Sequence, residues 1–261
     1  MKNVRWWFIA RVATVALLLA AVARSVVFLL TVPRAPTEIG LDYGLYMDAT
    51  RRWLAGGDFY PAWQLAGPYT ITPYFSRGEI LYPPNALPLF VVFSFLPAIV
   101  WWVVQFAIVV AALYRLRPAA WAHPLIAFLV LWPRTGEMVI VGNPAMWCVA
   151  AIAAGAAWGW PGAFTLIKPS LFPFAAMGIW RRGWWVSLVA MLLVTLPFAY
   201  LWGQWLTVVT NASNGVLYNL NEFPTMMIGV VAWIASPVEK PRLSVGHGLL
   251  ARIPFGARPS S

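Results

Sequence analysis

Val12-Ala-Thr-Val-Ala-Leu-Leu-Leu-Ala-Ala-Val-Ala-Arg-Ser-Val-Val-Phe-Leu-Leu-Thr31 decides the fold class. A helix needs about 20 mostly apolar residues to cross a bilayer, and this run supplies them. Lys2, Arg5 and Arg11 precede it, with Trp6-Trp7-Phe8-Ile9 between them. A basic start followed by an apolar stretch also describes a secretory signal peptide, but this stretch is too long for one and no small-x-small cleavage site follows it. The reading is an uncleaved first span with its N-terminus in the cytoplasm. Arg24 inside the span is either a snorkelling or helix-packing arginine or a contact to lipid phosphate.

The rest of the chain repeats the pattern. Of 261 residues, 61% are hydrophobic and 10% charged. Soluble domains are about 45–50% apolar and about 25% charged, so an ordinary soluble domain is excluded. Lys and Arg number 18 against 8 Asp and Glu, a net charge of +10. In a soluble protein that excess would suggest nucleic acid. Here the basic residues flank apolar blocks, which points to topology and membrane lipids, with no nucleic-acid partner. A single cysteine, Cys148, excludes an intramolecular disulfide, and two distant histidines argue against structural zinc; no metal and no cofactor are expected.

Apolar blocks follow at Leu87–Tyr114, interrupted by Pro97, then at Trp121–Trp132, Met146–Trp158, Gly162–Trp180, Trp184–Trp202 and Pro224–Ile234. With the first span these make about seven or eight apolar segments, an all-α polytopic transmembrane bundle forming one domain over residues 1–236. The polar tail, 237–261, reads as disordered. Basic residues cluster at the N-terminus, at 115–117, at 181–182 and in the tail. If all are cytoplasmic, Leu87–Tyr114 crosses once, the Gly142-Asn143 loop is external, and Gly162–Trp180 dips in and returns as a hairpin with Lys168 near its tip. The rival path makes 87–114 two spans and 162–180 one.

One long polar stretch, residues 32–83, forms an external loop after the first span. It holds five of the eight acids, Glu38, Asp42, Asp48, Asp58 and Glu79. Ile39–Ala55 reads as an amphipathic helix on the membrane surface, with Leu41, Leu45, Ala49 and Trp53 at four-residue spacing. Gly56-Gly57 ends it with a left-handed cap.

No soluble-enzyme motif is present, so the candidates are the few charges set apart. Asp48 precedes Arg51 by three residues and Arg52 by four, the spacing of a solvated ion pair. Asp42 has Leu45 and Tyr46 at those spacings, so no helix neighbour neutralises it. It is either a helix-start acid or a general base, which needs a carboxylate without a permanent partner. Asp58 reads as a turn acid. Glu79, near Arg77, is a polar contact or that arginine's ion-pair partner. Lys168 interrupts an apolar block, where an ionisable residue costs about 2.5–3.5 kcal/mol on insertion scales. It is either a structural lysine beside a carboxylate or carbonyl, or a clamp for a lipid-linked phosphate. Glu137 and Glu222 are loop acids with no assigned role. The tryptophans form an interface belt before they form a sugar platform.

In order along the chain stand Asp42-Tyr-Gly-Leu-Tyr46, Leu54-Ala-Gly-Gly-Asp-Phe-Tyr60, Tyr82-Pro-Pro84, Gly142-Asn143, Ile167-Lys-Pro169 and Arg181-Arg182. This order resembles the GT-C glycosyltransferases, specifically a short member of glycosyltransferase family 87, the polyprenol-phosphate-mannose-dependent mannosyltransferases of bacteria. The resemblance runs over roughly residues 5–235. It implies a multi-pass enzyme of the bacterial plasma membrane. The donor would be a polyprenyl-phosphate sugar and the acceptor a lipid or glycan on the external face, with transfer by inversion. It assigns Asp42 as the base. Tyr46, Asp48, Glu79, Tyr82, Asn143 and Lys168 become the substrate-binding candidates, with Lys168 meeting the leaving phosphate and the Asn143 amide contacting sugar or phosphate.

Overall fold

The structure, a computed structural model, describes residues 2–31, 39–70, 78–213 and 220–238. Glu38, Arg77 and all but the first two residues of the polar tail lie outside the described residues. Among those described, the chain is helical, and the extended contact is a single bridge between Tyr69 and Ala212.

Helix α1, Lys2–Thr31, carries the first apolar run. Its inner stripe, Ala10, Ala13, Thr14, Leu17, Ala21 and Arg24, follows helical spacing and packs on α5, Ala122–Leu131, while its other faces are exposed. Thr14 and Ser25 turn their hydroxyls back to carbonyls four residues earlier, at 2.6 and 3.0 Å, which makes them tolerable in an apolar helix. Helix α5 breaks at Trp132-Pro133, where proline removes a donor, and continues as α6, Pro133–Val141, bent by 59°. Arg24 reaches across from α1 and donates to the carbonyls of Trp132 and Pro133, each at 3.3 Å, so it packs helices and satisfies the break.

Helix α2, Leu41–Leu54, buries Tyr46, Met47, Ala49 and Thr50. It packs on α3, Leu87–Ser94. Its C-terminal turn ends at Gly56, whose φ of 89° suits glycine. The block containing Pro97 divides: α3 stops short of it, and α4, Ala98–Leu116, starts just after it. Helix α7, Ala145–Trp158, is the centre of the bundle and is buried from Ala145 to Ala157 with Trp147 half-buried. Its alanines and glycine let neighbours approach closely. A Cβ on Gly229 of α10, Phe223–Ile234, would lie 2.8 Å from Ala153 Cα. Between α7 and α8, Arg182–Thr195, the chain runs out through a 3-10 helix, Trp160–Ile167, passes Lys168, and returns. The two arms meet at their base: a Cβ on Gly162 would fall on the Met177 carbonyl, and one on Gly178 on Gly159. Helix α9, Leu201–Asn211, follows α8 after a 90° bend.

The long helices run between two chemically different ends. At one end Arg115 donates to the Ala157 carbonyl at 3.1 Å, Ala119 N–H bonds Ala235 O at 2.9 Å, and Trp7 meets His123 edge-on. Arg117, Arg181 and Arg182 belong to this end. At the other, Gly40 N–H bonds Ile140 O at 2.8 Å and Trp101 bonds Gly142 O at 3.0 Å. Every acid among the described residues lies on this second side: Asp42, Asp48, Asp58, Glu79, Glu137 and Glu222.

Among the described residues two helices, Arg5–Thr31 and Ala98–Leu116, are long and apolar enough to cross a membrane, or up to four if each bent pair counts as one. Helices α7 and α10, of 14 and 12 residues, are shorter than a span and packed inside the bundle. The seven or eight apolar segments are therefore not seven or eight membrane-length helices.

Candidate functional site

On the acidic side, six segments converge: the start of α2, the stretch at Tyr82 before α3, the start of α6, the α6–α7 junction, the hairpin tip and the start of α10. Asp42 stands in the first turn of α2, just after Gly40, whose φ of 72° turns the chain into the helix. Its Oδ2 accepts from Asn143 Nδ2 at 2.5 Å. Its Oδ1 has no hydrogen-bond partner among the described residues. Burial raises the Asp42 pKa above the ordinary carboxylate value; the Asn143 hydrogen bond and the positive charges of Arg134 and Lys168 oppose that shift, and Glu137 adds to it.

Asn143 is aimed by its own backbone. Gly142, with φ of 69°, ends α6, and Asn143 Oδ1 accepts from Ala145 N–H at 2.8 Å as α7 begins. The same oxygen accepts from the Tyr82 hydroxyl at 3.3 Å. With its oxygen so engaged, the amide nitrogen faces Asp42. Tyr82 is buried, its ring edge-on to Tyr46 at 5.1 Å between centroids, and Tyr46 stacks on Phe90 at 4.9 Å. Burial holds both phenols well above their ordinary pKa, so they stay protonated.

Lys168 sits at the hairpin tip with extended backbone between two prolyl-opened 3-10 turns. Its ammonium lies 5.7 Å from the centre of the Tyr82 ring. It is ion-paired with Glu222 Oε2. Glu222 is 3% exposed. Its Oε1 accepts from Arg134 at 3.2 Å, and Arg134 also holds the exposed Glu137 at 2.6 Å. One buried carboxylate is thus shared by two cations.

The structure therefore gathers Asp42, Tyr46, Tyr82, Asn143 and Lys168. It does not bring in Asp48 or Glu79. Asp48 is exposed and pairs with Arg51 at 3.2 Å, while Arg51 also reaches the Ser94 carbonyl. Glu79 is buried beside Gln64 and Tyr69, where burial raises the Tyr69 phenol and Glu79 adds to it. Sequence reasoning left Glu222 and Arg134 without a role. They lie 88 residues apart, and no local spacing links either to Lys168. The one available signal was the cost of Lys168 itself, which demands an anion somewhere.

Beside the hairpin tip are two apolar cavities of about 590 and 530 Å³. The first lies between the hairpin, α4, α7 and α8, with Leu89, Ile108, Trp158 and Phe164 in its wall. The second is walled by Leu166, Pro169 and Trp202. Asn85, Met191 and Thr195 line both. Asn85 donates to the Leu166 carbonyl at 2.6 Å, tying the 3-10 turn Pro84–Ala86, just before α3, to the tip. Among the described residues, no group of three or more His, Cys, Asp or Glu is placed to hold a metal ion.

No protein-family model, no curated protein and no solved structure matches the chain.

Proposed function

We propose that the chain is a membrane glycosyltransferase of the GT-C kind. It moves a hexose, mannose by the resemblance, from a polyprenyl-phosphate sugar to a lipid or glycan acceptor. The observation that carries this reading is Asp42: a carboxylate outside the long helices, held through one oxygen by Asn143 and open at the other. In the reaction, Asp42 Oδ1 accepts the proton of the acceptor hydroxyl. The hydroxyl oxygen attacks the anomeric carbon, and the bond from that carbon to the phosphate oxygen breaks with inversion. Lys168 neutralises the departing phosphate. The apolar cavities beside the tip suit the donor's isoprenoid chain. Tyr46 and Tyr82 form the wall behind the base, while Asp48 and Glu79 lie outside the cluster and have no part in the transfer. By the rule that basic loops stay inside, the Arg115 end faces the bacterial cytoplasm and Asp42 the exterior.

The test is Asp42→Asn in purified, vesicle-reconstituted protein supplied with a radiolabelled polyprenyl-phosphate sugar. The variant should fold and insert, yet lose transfer by about 100-fold or more, the range a general base contributes. Undiminished transfer would remove Asp42 from the reaction.

One observation favours a second reading. Lys168 already has a carboxylate, so the polar cluster is also what a non-catalytic scaffold or lipid-linked-sugar carrier would need for stability. That reading expects no sugar transfer by the wild-type protein in the same assay, with donor binding or a partner membrane protein retained.

A further inference from the structure

We infer that Glu222 is a built-in stand-in for a phosphate ester: it occupies Lys168 in the unliganded protein, and a lipid-borne phosphate displaces it, leaving Glu222 with Arg134. The inference deepens the proposed function, because it rests on the reading of Lys168 as a phosphate contact.

Four observations lead to it. First, Glu222 is shared, one oxygen to Lys168 and the other to Arg134, so it can lose one partner without becoming an unpaired buried charge. Second, the exposures differ. The Lys168 side chain is 21% exposed and that of Glu222 only 4%, so an incoming anion meets the ammonium and not the carboxylate behind it. Third, Arg134 has donors to spare: its Nε is buried and has no acceptor among the described residues. Fourth, Arg134 is also tied to Glu137, whose side chain is 54% exposed and can return to water at little cost.

These facts define an exchange of partners. A phosphate ester takes the ammonium of Lys168. Glu222 turns fully onto Arg134, and Glu137 is released to solvent. No covalent bond changes, and each buried charge keeps an opposite partner. The apolar cavities beside the tip select a phosphate that carries a chain. Glu222 is thus a positioning residue: it keeps Lys168 aimed at the site and sets how readily phosphate is captured and released.

The test uses the full chain in detergent, dodecyl phosphate as probe and inorganic phosphate as the chain-free control. Wild-type protein should bind dodecyl phosphate. Glu222→Gln removes the competing anion and should bind it about tenfold more tightly, because Lys168 is no longer occupied in the free state. Lys168→Met should bind it about tenfold more weakly or worse. Inorganic phosphate should bind at least about tenfold more weakly than dodecyl phosphate, since it buries no methylenes. Equal affinity for the two probes would overturn the lipid-borne source. A folded Glu222→Gln protein that binds dodecyl phosphate no better than wild type would overturn the exchange. Should Glu222→Gln not fold, Glu222→Asp keeps the charge and shortens the reach to Lys168. Tighter binding is again expected, and unchanged or weaker binding overturns the inference. Tighter binding without any sugar transfer by wild type would sink the glycosyltransferase reading alone. Transfer by wild type with unchanged affinity in the Glu222 variants would sink this inference alone.

Discussion

Asn143 is the residue on which the polar cluster turns. Its oxygen serves the α7 start and Tyr82, and its nitrogen serves Asp42. The hydrogen bond favours the ionised carboxylate, and burial opposes it with the larger effect, so the Asp42 pKa lies above the ordinary value of about 3.9. With Asp42 as the proposed base, a proton on it below that raised pKa leaves it idle, so transfer should rise with pH through an acid limb above the ordinary carboxylate value. Asn143→Asp keeps the acceptor for Ala145 N–H but sets a second carboxylate against Asp42. The acid limb of kcat/KM should then move up by about one unit or more. A limb that stays in place would show that Asp42 is not the titrating group. Stability follows the same sign: the folded chain holds this proton more tightly than the unfolded one, so ionising Asp42 costs stability as pH rises from the ordinary carboxylate range through the raised value. The ion pair of Asp48 with Arg51 was legible because both residues share one turn of helix. The partner of Lys168 was not, because Glu222 is 54 residues away.

The hairpin from Gly159 to Gly178 is the element that places Lys168. The break at Lys168-Pro169-Ser170 announced a turn within an apolar block, and the chain does turn there. What closes the arms is backbone contact at glycines, which no hydrophobicity pattern displays. The outgoing arm is an eight-residue 3-10 helix, longer than the usual three or four residues, and it is sustained by packing against α7. Gly155 on α7 completes the seam, since a Cβ there would lie 2.7 Å from Gly162 Cα. Gly162→Ala puts a methyl group on the Met177 carbonyl and should destabilise the protein by about 3 kcal/mol, read as a lower melting temperature in detergent. Gly203→Ala is the control. Nothing lies within 4 Å of a Cβ there, and the site is inside α9, so the change should stabilise by up to about 1 kcal/mol. Equal effects of the two would mean that the hairpin seam is not tightly packed.

At the scale of the molecule, the described acids sort to one end, with Arg51, Arg134 and Lys168 paired among them. The described acids gather on one side, and Arg115, Arg117, Arg181 and Arg182 on the other. The orientation proposed from the basic residues puts the Asp42 side outside. Single cysteines test this, since native Cys148 is fully buried. Asp58→Cys should react with a membrane-impermeant maleimide in intact cells, and Ala119→Cys, exposed at the basic end, only after the membrane is opened. The opposite pattern would invert the proposed orientation. The apolar blocks outnumber the helices among the described residues that are long enough to span a membrane. A 14-residue helix is about 21 Å long, short of a hydrocarbon core of about 30 Å. Helices α7 and α10 are tolerated at that length because protein, not lipid, surrounds them.

Composition and block pattern by themselves determined that this is a helical protein with helices apolar enough to cross a membrane, where its breaks fall, and that Asp42, Asn143 and Lys168 stand apart from the apolar background. Those are properties of short windows, in which hydrophobicity and spacing act locally. Tertiary structure alone decided that Asn143 holds Asp42, that Glu222 and Arg134 surround Lys168, and that Asp48 and Glu79 lie elsewhere. Each of these is a meeting of side chains from distant segments. A buried charge demands a partner without specifying where along the chain it comes from, so only the packed bundle can supply that answer.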